Sequence, residues 1–457
     1  MKKLLVVLLS LGLIAAFGMT ASAATVNFSG SYYVVGTYSN NQQLANTDRT
    51  FSKAGLWQRF RLQPVFQIAE GLSLTARMDA MEKGWGSTNW KGGFDDMNLS
   101  RKAVPAGGSP NAQENFEFER GYMTFKTKIG QFDIGYQSSG KWGTDFLDDE
   151  KTRPRVKLTT KAGPVTIIAL FEKQFESIYS ANAAYKGTVD TDNENYAIGA
   201  IYGFKGGNAG LLYKYTDNRS NRIAPTSFAS KLHYLSPYMK ATFGPVYVEA
   251  ELDWLFGKAA KFEAPSTAAD KDAKSYAGYV KARVNLGPAY FGGAFQYIPG
   301  QDPNENDKTN WSNASGNGSQ DLDVGILLGY DALQTWRQGG GNGGANGFTF
   351  GSEKYNSIFY SAFAGFNPTP KLNVQALIAY AHLDKIEAPA AVNQNDSKKL
   401  GWEFDVTASY KIYDNLTYMV GAGYLWAGDA FKGFGANSNN NSVGNDYLLM
   451  NRIAVSF

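Results

Sequence analysis

The chain has no cysteine and only two histidines in 457 residues. Without thiols it can hold no disulfide, no thiolate-bound metal and no cysteine-attached haem, which excludes a covalent cytochrome and a lipid-anchored cysteine. His233 and His382 lie far apart and neither accompanies a recognisable serine-nucleophile motif, so the base that acyl-transfer catalysis needs has no partner. No enzyme is expected, and no cofactor or metal. A surplus of one charge is also lacking: 44 Lys and Arg stand against 41 Asp and Glu, a net +3 that falls to +1 once Lys2 and Lys3 are set aside. That balance argues against a nucleic-acid binder. Beyond the first residues there is no apolar run near the length of a spanning helix, and mean hydropathy is −0.33, so a helical membrane protein is excluded as well.

What is present is glycine, at 50 residues, and an aromatic content of 14%. The start reads as a leader: Met1-Lys2-Lys3 is positive, residues 4–17 are apolar, and Ala21-Ser22-Ala23 offers the small residues that a signal peptidase reads. Residues 1–23 are therefore expected to be a cleaved signal peptide and 24–457 a single domain. A cysteine-free chain suits an envelope protein that crosses the periplasm unfolded.

Period-two segments of about ten residues run along the domain, and long polar connections alternate with very short ones. Residues 26–39 rise. Residues 56–68 descend, with Leu56, Phe60, Leu62, Phe66 and Ile68 on one face and Trp57, Arg59, Arg61, Gln63 and Gln67 on the other. After Glu70-Gly71, residues 72–81 set Leu72, Leu74, Ala76 and Met78 against Ser73, Thr75, Arg77 and Asp79. Later hairpins turn near Ile129-Gly130-Gln131, Gly163-Pro164, Gly206-Gly207, Gly244-Pro245, Gly287-Pro288, 367–370 and Asp414-Asn415. Gly-Pro recurs because glycine tolerates positive φ and proline ends a ladder without wasting a donor. Residues 299–355 contain an apolar stretch, 322–336, that would break the up-and-down count as a single strand. It is placed inside a long loop that packs into or over the lumen; the alternative is two extra strands.

The last strand decides the class. Tyr447, Leu449, Ile453, Val455 and Phe457 share one parity, while Arg452, Ala454 and Ser456 take the other, so one face suits lipid and the other water. In these residues the chain resembles the bacterial outer-membrane porins, whose final strand ends in Phe. The expected fold is an all-β, transmembrane, antiparallel up-and-down barrel of about 18 strands, with 16 or 20 as alternatives. Short turns would be periplasmic and long loops extracellular, and a soluble β-sandwich or β-helix is the competing architecture. Aromatic girdles are expected from Trp57, Tyr136, Trp254, Tyr297, Trp402 and Trp426 at the outer ends and Phe66, Phe204, Phe243, Phe366 and Phe457 at the inner. The resemblance implies insertion among outer-membrane lipid and lipopolysaccharide, recognition of Phe457, Val455 and Ile453 by the barrel-assembly machinery, and a homotrimer.

Two loop motifs yield to plainer readings. Gly339, Gly341 and Gly344 have a G-x-G-x-x-G spacing without its strand–helix context, and Asp190, Asp192 and Glu194 lack the glycine and terminal glutamate of a calcium loop. A flexible loop and solvated charge are expected there.

If the apolar face meets lipid, the charged face lines water. The lumen lining is then Arg59, Arg61, Arg77, Asp79, Arg155, Lys157, Glu249, Glu251, Asp253, Lys281, Arg283, Glu403 and Asp405. In porins the loop after the fifth strand commonly folds inward, which points to Trp142, Asp145, Asp148, Asp149 and Glu150 as a constriction whose carboxylates lean toward the arginine cluster. The expected function is a water-filled channel for passive diffusion of small hydrophilic solutes and ions. The alternatives are a channel selective for an anionic or sugar ligand and a structural or adhesive surface barrel.

Overall fold

In the computed structural model eighteen antiparallel strands close into one barrel. The structure describes residues 25–41, 44, 52–85, 116–147, 151–176, 190–222, 227–264, 266–302, 304–305, 308–309, 322, 325–329, 344–345, 348–349, 356–386, 397–432 and 442–457. The strands are β1 (Thr25–Ser39), β2 (Lys53–Ala69), β3 (Leu72–Gly84), β4 (Phe116–Thr127), β5 (Gly130–Ser138) and β6 (Thr152–Ala162). Then come β7 (Val165–Phe175), β8 (Asn193–Phe204), β9 (Gly207–Asn218), β10 (Phe228–Phe243), β11 (Val246–Phe262) and β12 (Lys271–Leu286). The last six are β13 (Ala289–Ile298), β14 (Ser357–Thr369), β15 (Leu372–Leu383), β16 (Lys399–Tyr413), β17 (Leu416–Ala427) and β18 (Asp446–Ser456).

Each strand pairs with its sequence neighbours, and β1 also pairs with β18, from Ser31 opposite Ser456 to Ser39 opposite Leu448. Gly30 and Phe457 exchange backbone hydrogen bonds at 2.9 and 3.1 Å, so the seam runs to the end of the strand. Closure leaves no row of unpaired backbone groups facing hydrocarbon, where each would cost several kcal/mol. The first strand thus pairs with 451–456, as closure requires; Ser31 lies within this register, and Asn27 and Ser29 precede it.

All eight tight turns have two residues, at 70–71, 128–129, 163–164, 205–206, 244–245, 287–288, 370–371 and 414–415. Gly163, Gly244 and Gly287 sit at φ of 60°, 59° and 63°, each before a proline. Positive φ followed by a preset negative φ matches a type II′ turn, whose twist fits a hairpin. The expected turns at 129–131 and 206–207 are each one residue early in the structure, and β14 runs through 367–369 across a bulge.

Outward residues are apolar, including Phe28, Phe118, Leu252, Phe291, Leu449 and Phe457. Trp254, Trp402, Trp426 and Tyr136 also face outward. Trp57 does not belong with them. It shares the inward parity of Arg59 and Arg61, is 4% exposed, and lies 5.5 Å from the Tyr33 ring.

β13 pairs directly with β14, from Ala289 opposite Phe366 to Ile298 opposite Ser357. Among the described residues of 299–355 none forms a wall strand, and Lys308–Thr309 only bridges Asp272 and Ala273 at the rim. A single short helical turn, α1 (Ile326–Gly329), lies there.

Candidate functional site

Inside the barrel, acids and bases differ in how far they reach. Asp79, Asp133, Glu172, Glu251, Asp253, Glu403 and Asp405 are all buried. Arg59, Arg61, Arg120, Arg153, Lys157, Lys214, Lys240, Lys281, Arg283 and Arg452 are only half-buried. The contrast is geometric. A carboxylate on a short stem stays near the wall, whereas a guanidinium or ammonium on a long one lies over it.

On β2 and β3, Arg61 forks onto Asp79 through Nε at 2.7 Å and Nη2 at 2.6 Å, and Arg59 approaches the same carboxylate at 3.9 Å. Arg77 reaches Glu119 at 3.7 Å, and Lys157 reaches Asp133 at 3.4 Å. Arg155 and Glu172 form a buried pair, and Arg155 also donates to the carbonyls of Gln137 and Lys151. Glu249 accepts from Tyr247 and Tyr279 at 2.7 and 2.8 Å, with Lys281 at 3.5 Å.

Two segments fold onto the inner wall. In the first, residues 140–147, the Thr144 N–H and hydroxyl donate to Glu251 Oε2 at 2.6 and 2.9 Å, and Lys240 Nζ donates to the Gly143 carbonyl at 2.5 Å. The Trp142 indole donates to the Ser236 carbonyl at 3.0 Å and meets the Tyr238 ring edge-on at 5.3 Å. Phe146 stacks on Tyr279 at 5.6 Å. Trp142 can lie this close because Gly199 and Gly210 face inward beneath it: a Cβ on either would meet the ring at 2.8 or 3.1 Å.

The second segment is α1. Its N–H groups point at two carboxylates of β16: Leu327 and Leu328 donate to Glu403 at 2.6 and 2.8 Å, and Ile326 donates to Asp405 at 3.0 Å. Ile326, Leu327 and Leu328 pack with Leu425, Leu448 and Met450 in a buried apolar cluster. Gly421 and Gly423 of β17 make the room, since a Cβ on either would lie 3.2 Å from Ile326 or Leu327.

The sequence-derived lining therefore divides. Arg59, Arg61, Lys281 and Arg283 face the lumen half-buried, with Lys157 beside Asp133, whereas Arg77, Asp79 and Arg155 are buried within ion pairs. Glu249 stands among tyrosines. Glu251 lies beneath the 140–147 segment, and Glu403 and Asp405 beneath α1, so these three anchor chain where open water was expected, while Asp253 is buried beside Glu251. The 140–147 segment docks on β8–β12, away from the arginines of β2 and β3, because its backbone donors and the Gly143 carbonyl find Glu251 and Lys240. Asp145 pairs with Lys141 at 2.7 Å. Asp148, Asp149 and Glu150 lie outside the described residues.

Several inward residues escaped the sequence. Glu119 is the extra residue of a bulge on β4, between Phe118 and Arg120 and opposite Arg77 and Met78 of β3, where alternation loses its count. Lys214, Lys240, Leu448 and Met450 keep simple inward parity and were readable. The acidic stretch at 190–194 is neutralised: Lys173 contacts Asp192 and Glu194 at 2.5 and 2.7 Å, and Arg219 contacts Asp190 at 2.8 Å. Proximity to Asp217, Asp190 and Glu194 holds the Arg219 guanidinium above its ordinary range.

Known folds place this architecture. Pseudomonas aeruginosa OccK8 (OprE) is similar, with a TM-score of 0.51 and 12% identity over 94% of this chain and 98% of that one. OccK9 (OpdG) of the same organism gives 0.50 and 13% over 94% and 99%. A substituted form of OccD1 (OprD) gives 0.51 and 10% over 96% and 97%. At such identities the likeness is one of fold. Among curated proteins no sequence matches. The sequence profile of the family described as Gram-negative porin matches residues 10–356, about three-quarters of the chain, and with the closed lipid-faced barrel it makes this chain a Gram-negative porin, an outer-membrane channel for small solutes.

Proposed function

We propose that the channel is water-filled, passes small hydrophilic solutes and ions by passive diffusion, and favours anions. Most inner carboxylates are buried, in ion pairs or beneath the two docked segments, while many inward arginines and lysines stay half-buried. That contrast carries this reading, because a solute in the lumen meets more bases than acids, although Glu119 and Glu249 also stay half-buried. A near-neutral chain can thus present a positive interior, and in a narrow, partly desolvated passage that field is weakly screened. The 140–147 segment and α1 narrow the passage from two sides. Nothing in this reading calls for catalysis, a cofactor or a metal.

The test is the reversal potential of the reconstituted channel under a salt gradient. Wild type is expected to be anion-selective, and changing Arg59, Arg61 and Arg77 together to Glu should swing it toward cations. Unchanged selectivity in that variant would remove these residues from the rate-limiting passage.

The resemblance to porins extends the proposal to a cleaved leader at 1–23, lipopolysaccharide contact, a homotrimer, and an assembly signal in Ile453, Val455 and Phe457. Phe457 lies over Gly30 and stacks on Phe60 at 6.5 Å. Phe457→Asp should lower the yield of heat-modifiable barrel in the outer membrane far more than its burial of roughly 2–3 kcal/mol accounts for. Wild-type yield would show that the signal lies elsewhere.

A further inference from the structure

Between the 140–147 segment and β6–β9 lies a chamber of about 410 Å³. Its floor is anomalous for a water-filled lumen. Ile168, Leu170, Ala197 and Leu212 all point inward and stay only half-buried. The docked segment does not cover them: Trp142 and Leu147 form one side of the chamber and leave the apolar floor facing its interior.

The rim is basic. Arg155 is already matched to Glu172, the one carboxylate among the described residues lining the chamber. Arg153 and Lys214 make no ion pair among the described residues. Lys214 Nζ sits 3.9 Å from the Tyr234 ring centroid, a contact that holds the ammonium in place without neutralising it. Two cations without an ion pair among the described residues, over an apolar floor with an indole at the edge, specify an amphipathic guest; Glu172 and Asp253 act on Lys214 only at longer range.

We propose that this chamber binds small organic monoanions with an apolar body, such as medium-chain or aromatic carboxylates. The carboxylate meets Arg153 and Lys214, while the body lies on Leu170, Leu212 and Trp142. The proposal rests on the anion-favouring reading above and adds a station beside the main passage. A solute entering by its charge would pause there by its apolar part, held weakly enough to leave.

Single-channel recording of the full-length native protein tests this with four probes: hexanoate, benzoate, acetate and benzyl alcohol. Hexanoate and benzoate should produce concentration-dependent current interruptions at concentrations at least tenfold below acetate, and benzyl alcohol should produce none. Leu170→Asn should erase the advantage over acetate while leaving anion selectivity intact. Lys214→Gln should weaken hexanoate block at least tenfold, and Lys214→Arg should retain it; the wild-type probe series stands by itself if Lys214→Gln does not fold. Equal block by acetate and hexanoate, or undiminished hexanoate block in Leu170→Asn, overturns the chamber. An anion-selective reversal potential without hexanoate block defeats the chamber alone, whereas loss of anion selectivity in wild type defeats the reading beneath it.

Discussion

The two inward segments, 140–147 and α1, are held by one device used in two ways. Each places backbone N–H groups on a buried carboxylate of the wall, and each lies over a pair of inward glycines. The first adds side-chain contacts with mixed partners: an indole on a carbonyl, a lysine on a carbonyl and a ring on a tyrosine. The second adds aliphatic packing among its described residues. The difference teaches what each leaves behind. α1 fills its part of the wall with Leu327 and Leu328 at 0% exposure, whereas the 140–147 segment stands over a chamber.

If carboxyl clasping dominates at α1, replacing Glu403 and Asp405 together with Ala removes three hydrogen bonds and should cost about 2–4 kcal/mol of docking. Single-channel conductance should rise and limited proteolysis should cut near 322–329 in an otherwise intact barrel. Wild-type conductance and resistance would mean that aliphatic packing suffices. Glu251→Ala should do less, about 2 kcal/mol, because Trp142, Lys240 and Phe146 still hold the segment. Fluctuation between two conductance levels is expected there, and a fully open, steady level would assign the docking to Glu251 alone. Gly199→Val is the mildest change. Its side chain would push the indole off the wall at about 1 kcal/mol, the worth of one hydrogen bond, and should raise current noise without moving mean conductance. A quiet trace would show that the glycine seat is dispensable.

How legible each part was follows from the same physics. Strand rhythm, turn positions and the strand count were readable because alternation is a local property of side chains. Residues 322–336 were placed within a loop by parity counting, which needs no contact information. The clasps were not readable: the partners of Glu251, Glu403 and Asp405 are N–H groups, which every residue but proline carries. Their trace in the sequence is indirect, in the inward glycines at 199, 210, 421 and 423 and the inward Leu448 and Met450. Trp57 was assigned to the girdle by residue type, although its parity already placed it inside with Arg59.

The seam has a consequence for how the chain reaches its fold. Ser39 donates to Asp446 at 2.8 Å across 407 residues of sequence, so β1 can pair with β18 only once the whole chain between them is present. Until then β1 is an open edge. It is fifteen residues long, without a charge or a proline, and rich in Tyr, Val and Thr. Such an edge invites pairing with another chain, and β1 has none of the charges or prolines that usually blunt one. The strand that completes the barrel is thus its main aggregation hazard until closure, and assembly depends on keeping that edge covered.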